Sequence, residues 1–386
     1  MTSTVVRAHR ALIVLLSVSA IVLGTVSIGY ATTHPKIGPR HLVGSTFTTA
    51  AGPVLSCPPG KPVASTTCYL VGAGAGGTAP PGVTPFPPDD YLNQVVPVHD
   101  GKPQAPIAFP GAESAALISC TSATACETAG YATTYSRAAF IPLTKGTPSK
   151  PVTVSGYISW TGLVCTSPGN CVGVGSRRKT ANSGSAKGVV IRLHNGKAST
   201  EQVLADAAGV SGLSCLSKTT CVAVGQTADF KFGFVITLTN GHAGAIHVVT
   251  SVGAISSVAC NWTKNTCAGT GYTTSKKQGV LPVRVLIHGG HVSVTKLPAS
   301  SPTLSGLTCV SRGHCVAFGV AKPDQRGEHA VLAAATNGRI GRWVTVGGSA
   351  DVEWVACSRV GSCIGMASAL TGQFPGDILH TFTVQY

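Results

Sequence analysis

The chain has 386 residues, of which 44% are hydrophobic, 11% are charged and 47 are glycine, and its formal net charge is +15. This balance excludes an intrinsically disordered chain, which would carry fewer apolar residues and more charge. It predicts a folded protein with many tight turns. The excess of positive charge indicates that anionic partners should be considered.

The N-terminal segment has the features of an export signal. Arg7 and Arg10 precede an apolar run from Ala11 to Ala31, and Gly29-Tyr30-Ala31 resembles a cleavage site. About 20 apolar residues can also cross a bilayer, so residues 1–31 are either a signal peptide or a membrane anchor. Both alternatives place the remaining chain outside the cytoplasm, secreted or anchored, after a linker at 32–41.

Cysteines recur in pairs along the rest of the sequence. Successive first cysteines are 63, 45, 50, 45, 49 and 48 residues apart, and five of the seven pairs enclose five residues. A period of 45–50 residues that contains short β segments is typical of a β-propeller with one blade per repeat. The pairs are Cys57-Cys68, Cys120-Cys126, Cys165-Cys171, Cys215-Cys221, Cys260-Cys267, Cys309-Cys315 and Cys357-Cys363.

Two kinds of chemistry could explain paired cysteines. Structural zinc sites usually show two to four residues between ligands, with a second pair nearby. Five intervening residues and evenly separated pairs favour a disulfide within each repeat, and hence an oxidising compartment. Each bridge would join the first strand of a blade to the second across a short hairpin.

The repeat from Gly162 to Ala207 shows the predicted blade. Two short β runs flank the Pro168-Gly169 turn, and a third run ends at Asn195-Gly196, a dipeptide suited to a type I′ turn before a fourth run. Four other repeats have a similar third-to-fourth turn, at Asp100-Gly101, Asn240-Gly241, Gly289-Gly290 and Asn337-Gly338. Four positions after the second cysteine, six repeats carry glycine and the last carries Ala367.

The last repeat lacks a fourth strand, because the chain ends soon after a run near Ile378 to Val384. A β-prone segment from His41 to Thr49 has no repeat of its own. We therefore predict an all-β fold over 42–386, a seven-bladed β-propeller with four-stranded antiparallel blades. The N-terminal segment completes the last blade and removes its open edge.

One motif carries a family resemblance. Cys-x5-Cys followed by Val-Ala-Val-Gly, as at Cys215 to Gly225, resembles uncharacterised secreted bacterial β-propellers with one disulfide per blade. The resemblance covers about 42–386 and brings no catalytic residues with it. The Ser-x-Asp-x-Gly-x-x-Trp box of sialidase-like propellers is missing from the sequence.

Charges separate when they are sorted by loop type. The first-to-second and third-to-fourth turns of a propeller lie on one face, and here they hold eleven Lys and Arg side chains, six histidines and a single recognised acid, Asp100. This pattern predicts a basic face that binds an anionic cell-envelope polymer, a lipid surface or a protein partner. Nucleic acid is disfavoured as a partner. We expect the protein to be a monomer. The alternative is a solvated surface. The binding candidates are Lys102, Lys197, Lys218, Lys264, Arg312, Arg339, Arg342 and Arg359.

The opposite face carries weaker candidates for catalysis. Glu113, Asp206, Asp351 and Glu353 fall in or near links between blades, where paired carboxylates could serve a saccharide hydrolase or bind a cation. They could equally be solvated surface groups. The sequence shows no phosphate loop, no metal-ligand pattern and no cofactor motif, so it favours a binding scaffold over an enzyme.

Overall fold

The computed structural model describes residues 34–43, 47–48, 54–75, 91–110, 114–132, 137–178, 186–275, 279–298, 300–324, 327–349, 351–369 and 378–386. The predicted signal peptide or anchor at 1–31 lies outside these residues. Among the residues described, no helix is long and apolar enough to span a membrane.

The described strands form seven antiparallel sheets, which are the seven blades of a propeller. The first described strand, β1 (Lys36–Leu42), belongs to blade 7, the last blade. Blade 1 consists of β2 (Phe47–Thr48), β3 (Val54–Ser56), β4 (Thr67–Ala75), β5 (Tyr91–His99), β6 (Lys102–Pro103) and β7 (Ile107–Ala108), with a 3-10 turn at Val63–Ser65. Blade 2 consists of β8 (Ser114–Ser122), β9 (Ala125–Tyr131), β10 (Ala138–Thr144), β11 (Thr147–Pro148) and β12 (Val152–Thr153). Blade 3 consists of β13 (Tyr157–Ser167), β14 (Asn170–Arg178), β15 (Lys187–His194), β16 (Lys197–Ala198) and β17 (Gln202–Leu204).

The remaining blades follow the same order. Blade 4 consists of β18 (Ala207–Cys215), β19 (Thr220–Thr227), β20 (Gly233–Thr239) and β21 (His242–Val249). Blade 5 consists of β22 (Ala254–Thr263), β23 (Thr266–Ser275), β24 (Gly279–His288) and β25 (His291–Lys296). Blade 6 consists of β26 (Thr303–Ser311), β27 (His314–Asp324), β28 (Gly327–Thr336), β29 (Arg339–Ile340) and β30 (Val344–Thr345). Blade 7 is completed by β31 (Asp351–Arg359), β32 (Ser362–Ala369) and β33 (Ile378–Gln385). In blades 1, 2, 3 and 6 the outermost strand is split into two short pieces.

The core lies between neighbouring blades. The second strand of each blade is buried on both faces, because the adjacent blades pack against it from either side; in β19 the five residues from Cys221 to Gly225 are all buried. This double burial explains continuous apolar runs such as Cys-Val-Ala-Val, where a sheet with one wet face would alternate.

The seven predicted disulfides are confirmed, one in each blade. In each pair the Cα atoms lie 3.8–4.2 Å apart. In six blades the two cysteines are direct partners in the antiparallel register between the innermost and second strands. The Cys57-Cys68 bridge spans the longer connection that carries the 3-10 turn. Seven bridges indicate an oxidising, extracytoplasmic environment.

The type I′ turns are also present. Asn195 and Gly196 have φ values of 50° and 71°, and the four other predicted dipeptides likewise have positive φ at both residues. Lys145-Gly146 forms a further turn of this kind, with φ values of 51° and 81°. This dipeptide was not among those predicted, because lysine is an unusual residue at positive φ.

Closure by an N-terminal strand is confirmed, but with a different segment. The strand that pairs with β33 is β1, so residues 36–41 belong to the propeller and were wrongly assigned to the linker. Phe47–Thr48, within the segment predicted to close the ring, pairs instead with β4 of blade 1. Propensity favoured the later segment, because Pro39 and Gly38 make β1 look unlike a strand. Pro39 is tolerated because β1 is an edge strand with a register shift between Ile37 and Arg40.

The recurrent glycine after the second cysteine has a steric cause. Gly225 of β19 faces a register shift in β18, and a Cβ atom there would overlap the carbonyl oxygen of Gly209. The same overlap with a backbone oxygen of the innermost strand occurs at Gly175, Gly271 and Gly319. Glycine at this position therefore allows the bulged inner strand to approach its neighbour closely.

We expect Gly225→Ala to destabilise the protein by about 1–3 kcal/mol, because the backbone oxygen of Gly209 cannot move without disturbing the bulge. The midpoint of urea unfolding would measure the loss. Gly347→Ala is the matched control, since a Cβ atom there meets no atom within 4 Å. Equal midpoints for the two variants would contradict this account of the glycine.

Candidate functional site

Each blade presents two turns at the same edge, because its strands are antiparallel. In blade 4 the turn after Cys215 lies beside the Asn240-Gly241 turn, and the Asn240 N–H donates to the Thr219 carbonyl at 2.7 Å. Equivalent backbone hydrogen bonds join the two turns in blades 2, 3 and 6, at 3.0, 3.1 and 2.8 Å. The surface formed by these paired turns, called the basic face below, is therefore held by backbone contacts within individual blades.

The structure places all eight predicted binding cations in these turns or directly beside them. Every one of the eight side chains is exposed. None of the eight has a carboxylate partner in the part of the chain that the structure describes. Their charges are therefore available to an external group.

The opposite face differs in this respect. Arg177 forms an ion pair with Glu201, which is mostly buried, and Lys231 Nζ lies 3.4 Å from Asp229 Oδ2. Hydrogen bonds from Thr227 and from the Lys231 backbone lower the pKa of Asp229. Two cations of this face are thus already matched by acids.

A cavity of about 740 Å³ opens between blades 3 and 4 on the basic face. We call it the inter-blade cavity. Its basic side chains are Arg192, His194, Lys218 and His242, and no acid among the residues that the structure describes contributes to its lining. The neutral polar residues around it are Thr166, Ser167, Asn170, Asn195, Thr219 and Asn240.

Hydrogen bonds between the two blades hold the walls of this cavity. Arg192 Nη1 donates to the Asn240 carbonyl oxygen at 3.3 Å, across the blade boundary. Further out, the Gln202 side chain both donates to and accepts from the backbone of Ala243, at 3.1 and 2.9 Å. Asn170 Oδ1 accepts from the Asn195 N–H at 3.2 Å and ties the two turns of blade 3 together.

A buried acid lies on the same face between blades 2 and 3. Glu127 is only 4% exposed, and it lines a cavity of about 120 Å³ beside Thr121, Thr144 and Cys165. Its Oε1 atom is buried and has no hydrogen-bond partner among the described residues. Burial raises the pKa of Glu127 to about 7, since the charged form is poorly solvated there.

Glu127 was not predicted from the sequence, although its position in the repeat carries a signal. It occupies the position directly after the second cysteine, where the other six blades carry Tyr69, Val172, Val222, Ala268, Val316 and Ile364, all of them buried. An acid at a position that is otherwise apolar or aromatic marks an exception that comparison of the repeats could have found. Arg192 was overlooked because it belongs to strand β15 and only turn residues were sorted by face.

The central channel is narrow and lined mainly by small residues of the innermost strands. Its volume is about 330 Å³, and Trp354, 38% exposed, is the largest side chain in its wall. Ser56, Ser119 and Ser214 each accept a hydrogen bond from the backbone N–H of the first cysteine in the next blade, at 2.9, 3.0 and 2.9 Å. These contacts join neighbouring blades around the axis.

The three candidate carboxylates that the structure describes do not converge on this channel. Asp351 and Glu353 lie on β31, where Ser305 Oγ donates to Asp351 at 3.4 Å and Ser368 Oγ donates to Glu353 at 3.0 Å. Asp206 is exposed in the turn before β18, and Glu113 lies outside the described residues. None of the three described carboxylates lines the channel cavity. The residues that the structure describes also contain no group of three or more His, Cys, Asp or Glu arranged to hold a metal ion.

Comparison with solved structures supports the fold. The chain resembles a chain of Kuenenia stuttgartiensis hydrazine synthase, with 11% identity, a TM-score of 0.59 and coverage of 89% of this chain and 98% of that one. It also resembles the β-propeller domain of the Trilobed protease from Pyrococcus furiosus (9% identity, TM-score 0.53, coverage 86% and 95%). The WD40 propeller domain of Doa1 matches as well (10% identity, TM-score 0.51, coverage 91% and 97%). At these identities the similarity shows the fold alone. No protein-family model matches the chain, and no curated protein matches it.

Proposed function

We propose that the protein is an extracytoplasmic binding scaffold that recognises an anionic cell-envelope or extracellular partner through its basic face. The observation that carries the proposal is the set of eight exposed cations without acidic partners among the described residues. A surface of one sign concentrates anionic partners and speeds their arrival. The disulfide in every blade supports the extracytoplasmic setting, and the basic N-terminal apolar segment supports export.

The alternative of a saccharide hydrolase at the opposite channel mouth has weaker support. Inverting and retaining glycosidases both need two carboxyl groups that face one cleft. The described candidates are either exposed or bonded to serine hydroxyls, and none of them lines the channel cavity. We therefore keep the binding role as the proposed function.

Charge reversal tests the basic face directly. We expect Arg339→Glu combined with Arg342→Glu to weaken binding to immobilised polyphosphate by about tenfold or more, because each cation near an anionic surface contributes on the order of 1 kcal/mol. Binding of the unaltered protein should also fall steeply between 50 and 300 mM salt, as exposed charges are screened. Surface plasmon resonance would measure both effects.

The matched control reverses two exposed cations of the opposite face, Arg137→Glu with Lys187→Glu. Its net charge equals that of the first variant, so a smaller loss of binding would locate the contact on the basic face. Equal losses, or no loss in either variant, would show that the charge is only a solvated surface.

A further inference from the structure

We propose that the inter-blade cavity is a specific binding site for a phosphate ester of a polyol or sugar. This inference rests on the proposed function for the sign of the ligand and adds its location and chemical class. The site consists of Arg192 in its wall, Lys218, His194 and His242 around it, and neutral amides and hydroxyls between them. Its volume of about 740 Å³ falls within the range of ligand pockets in proteins.

Arg192 is the group best placed to bind a phosphate. Its Nη1 atom is held by the Asn240 carbonyl, and Gly241 packs so closely against its aliphatic stem that a Cβ atom there would come within 2.9 Å of Cδ. Nη2 has no acceptor among the described residues and remains accessible, whereas Nε is buried and out of reach of an external ligand. An accessible guanidinium N–H beside a cavity can donate a charge-assisted hydrogen bond to an oxyanion.

The arrangement of donors suits a phosphate better than a lone halide or a neutral sugar. The accessible end of the Arg192 guanidinium can donate charge-assisted hydrogen bonds to phosphate oxygens, which are stronger than those to neutral acceptors. Lys218 adds a charge from the neighbouring blade, so the ligand would contact both walls. The Nδ2 groups of Asn170 and Asn195 already contact neighbouring residues, but their side-chain oxygens can accept hydrogen bonds from the hydroxyls that a polyol or sugar carries next to its phosphate.

The cavity is preformed rather than assembled by a ligand. Arg192 with Asn240, and Gln202 with Ala243, link the outer strands of blades 3 and 4 by direct hydrogen bonds. A site on paired strands needs little ordering when the ligand arrives, which favours affinity for a small molecule.

The junction between blades 5 and 6 supplies a comparison within the same molecule. There Arg284 Nη1 donates to the Gly338 carbonyl at 3.4 Å, as Arg192 does to Asn240. Trp262, which is 1% exposed, packs against that turn, with Nε1 only 3.2 Å from where a Gly338 Cβ atom would lie. The Arg284 Nε atom is also buried without a partner among the described residues, so that feature alone does not mark a ligand site. Arg284 is therefore the control for an arginine that only bridges two blades.

Calorimetric titration of the full folded chain with sn-glycerol 3-phosphate at low ionic strength tests the site. We expect measurable binding, at least about tenfold weaker binding for Arg192→Gln and about threefold weaker binding for Lys218→Ala. Arg192→Lys keeps the charge but loses the planar guanidinium that Asn240 positions, so it should also bind at least about fivefold more weakly. Arg284→Gln and Lys187→Ala should bind like the unaltered protein, since neither residue lines the cavity, and glycerol should not bind. Circular dichroism melting of each variant separates lost binding from lost folding.

Competition then identifies the source of the phosphate ester. The unaltered protein is first bound to poly(glycerol phosphate) or to phosphatidylglycerol vesicles, and sn-glycerol 3-phosphate is then added. Displacement from one of these partners that is lost in Arg192→Gln would support the site. The partner that is displaced would identify where the phosphate ester comes from. Absence of sn-glycerol 3-phosphate binding, or equal losses in Arg192→Gln and Arg284→Gln, would overturn the site. In that event the Arg339 and Arg342 reversal still decides the proposed function independently, because neither residue lines the inter-blade cavity.

Discussion

Removal of residues 34–43 is expected to lower the melting temperature by on the order of 10 °C. These residues contain β1, which pairs with β33 at five registered positions from Lys36↔Gln385 to Leu42↔His380. Losing about five backbone hydrogen bonds at roughly 1 kcal/mol each, together with the buried edge, would account for a shift of this size. Differential scanning calorimetry measures it.

Contacts outside the ladder strengthen this expectation. Arg40 Nη1 donates to the Gly348 carbonyl at 3.0 Å, and the Val43 N–H donates to the Leu379 carbonyl at 3.0 Å. Deletion would leave β33 as an open edge, which also favours association between molecules. A variant that begins at His34 keeps β1 and should melt like the full chain. If deletion of 34–43 left the melting temperature unchanged, closure by β1 would not stabilise the ring.

Replacement of Glu127 by glutamine is expected to stabilise the protein at pH 8 by up to roughly 3 kcal/mol and to have little effect at pH 5. Burial raises the pKa of Glu127 from its ordinary value of 4.5 to about 7 in the folded state. Between these values the folded protein holds a proton that the unfolded chain has released. The free energy of unfolding therefore falls as pH rises from about 4.5 to about 7, and it stays lower above that range.

Glutamine has nearly the same shape as a protonated glutamate and does not titrate. The difference in unfolding free energy between the two proteins should thus grow with pH, while contributions from all other groups cancel. Urea unfolding at pH 5, 6, 7 and 8 gives this difference, and the pH 5 value serves as the control for packing. A difference independent of pH would show that Glu127 ionises as easily in the folded protein as in the unfolded chain.

The parts of the fold that depend on local sequence could be predicted. The Cys215-Cys221 disulfide follows from a hairpin short enough to place its ends in direct register, and Asn195-Gly196 forms a type I′ turn because both residues accept positive φ. Repetition at a period of 45–50 residues then predicts the blades, because each repeat must bury its faces against the next. The turns that carry Lys218 and Arg339 could be assigned to one face because successive turns of an antiparallel blade lie at alternate ends of the blade.

Other features depend on contacts between residues far apart in the chain, and only the tertiary structure decided them. The closing strand was misplaced because the choice between β1 and the segment at 47–48 depends on pairing with β33, more than 300 residues away, rather than on local propensity. Glu127 owes its raised pKa to burial between two blades. Arg192 reaches the turn of the next blade, so the cavity beside it exists only once the blades have packed. The sequence by itself determined the repeating unit and the sign of one face, whereas packing between the units decided which charges are buried, which are free and where a ligand could enter.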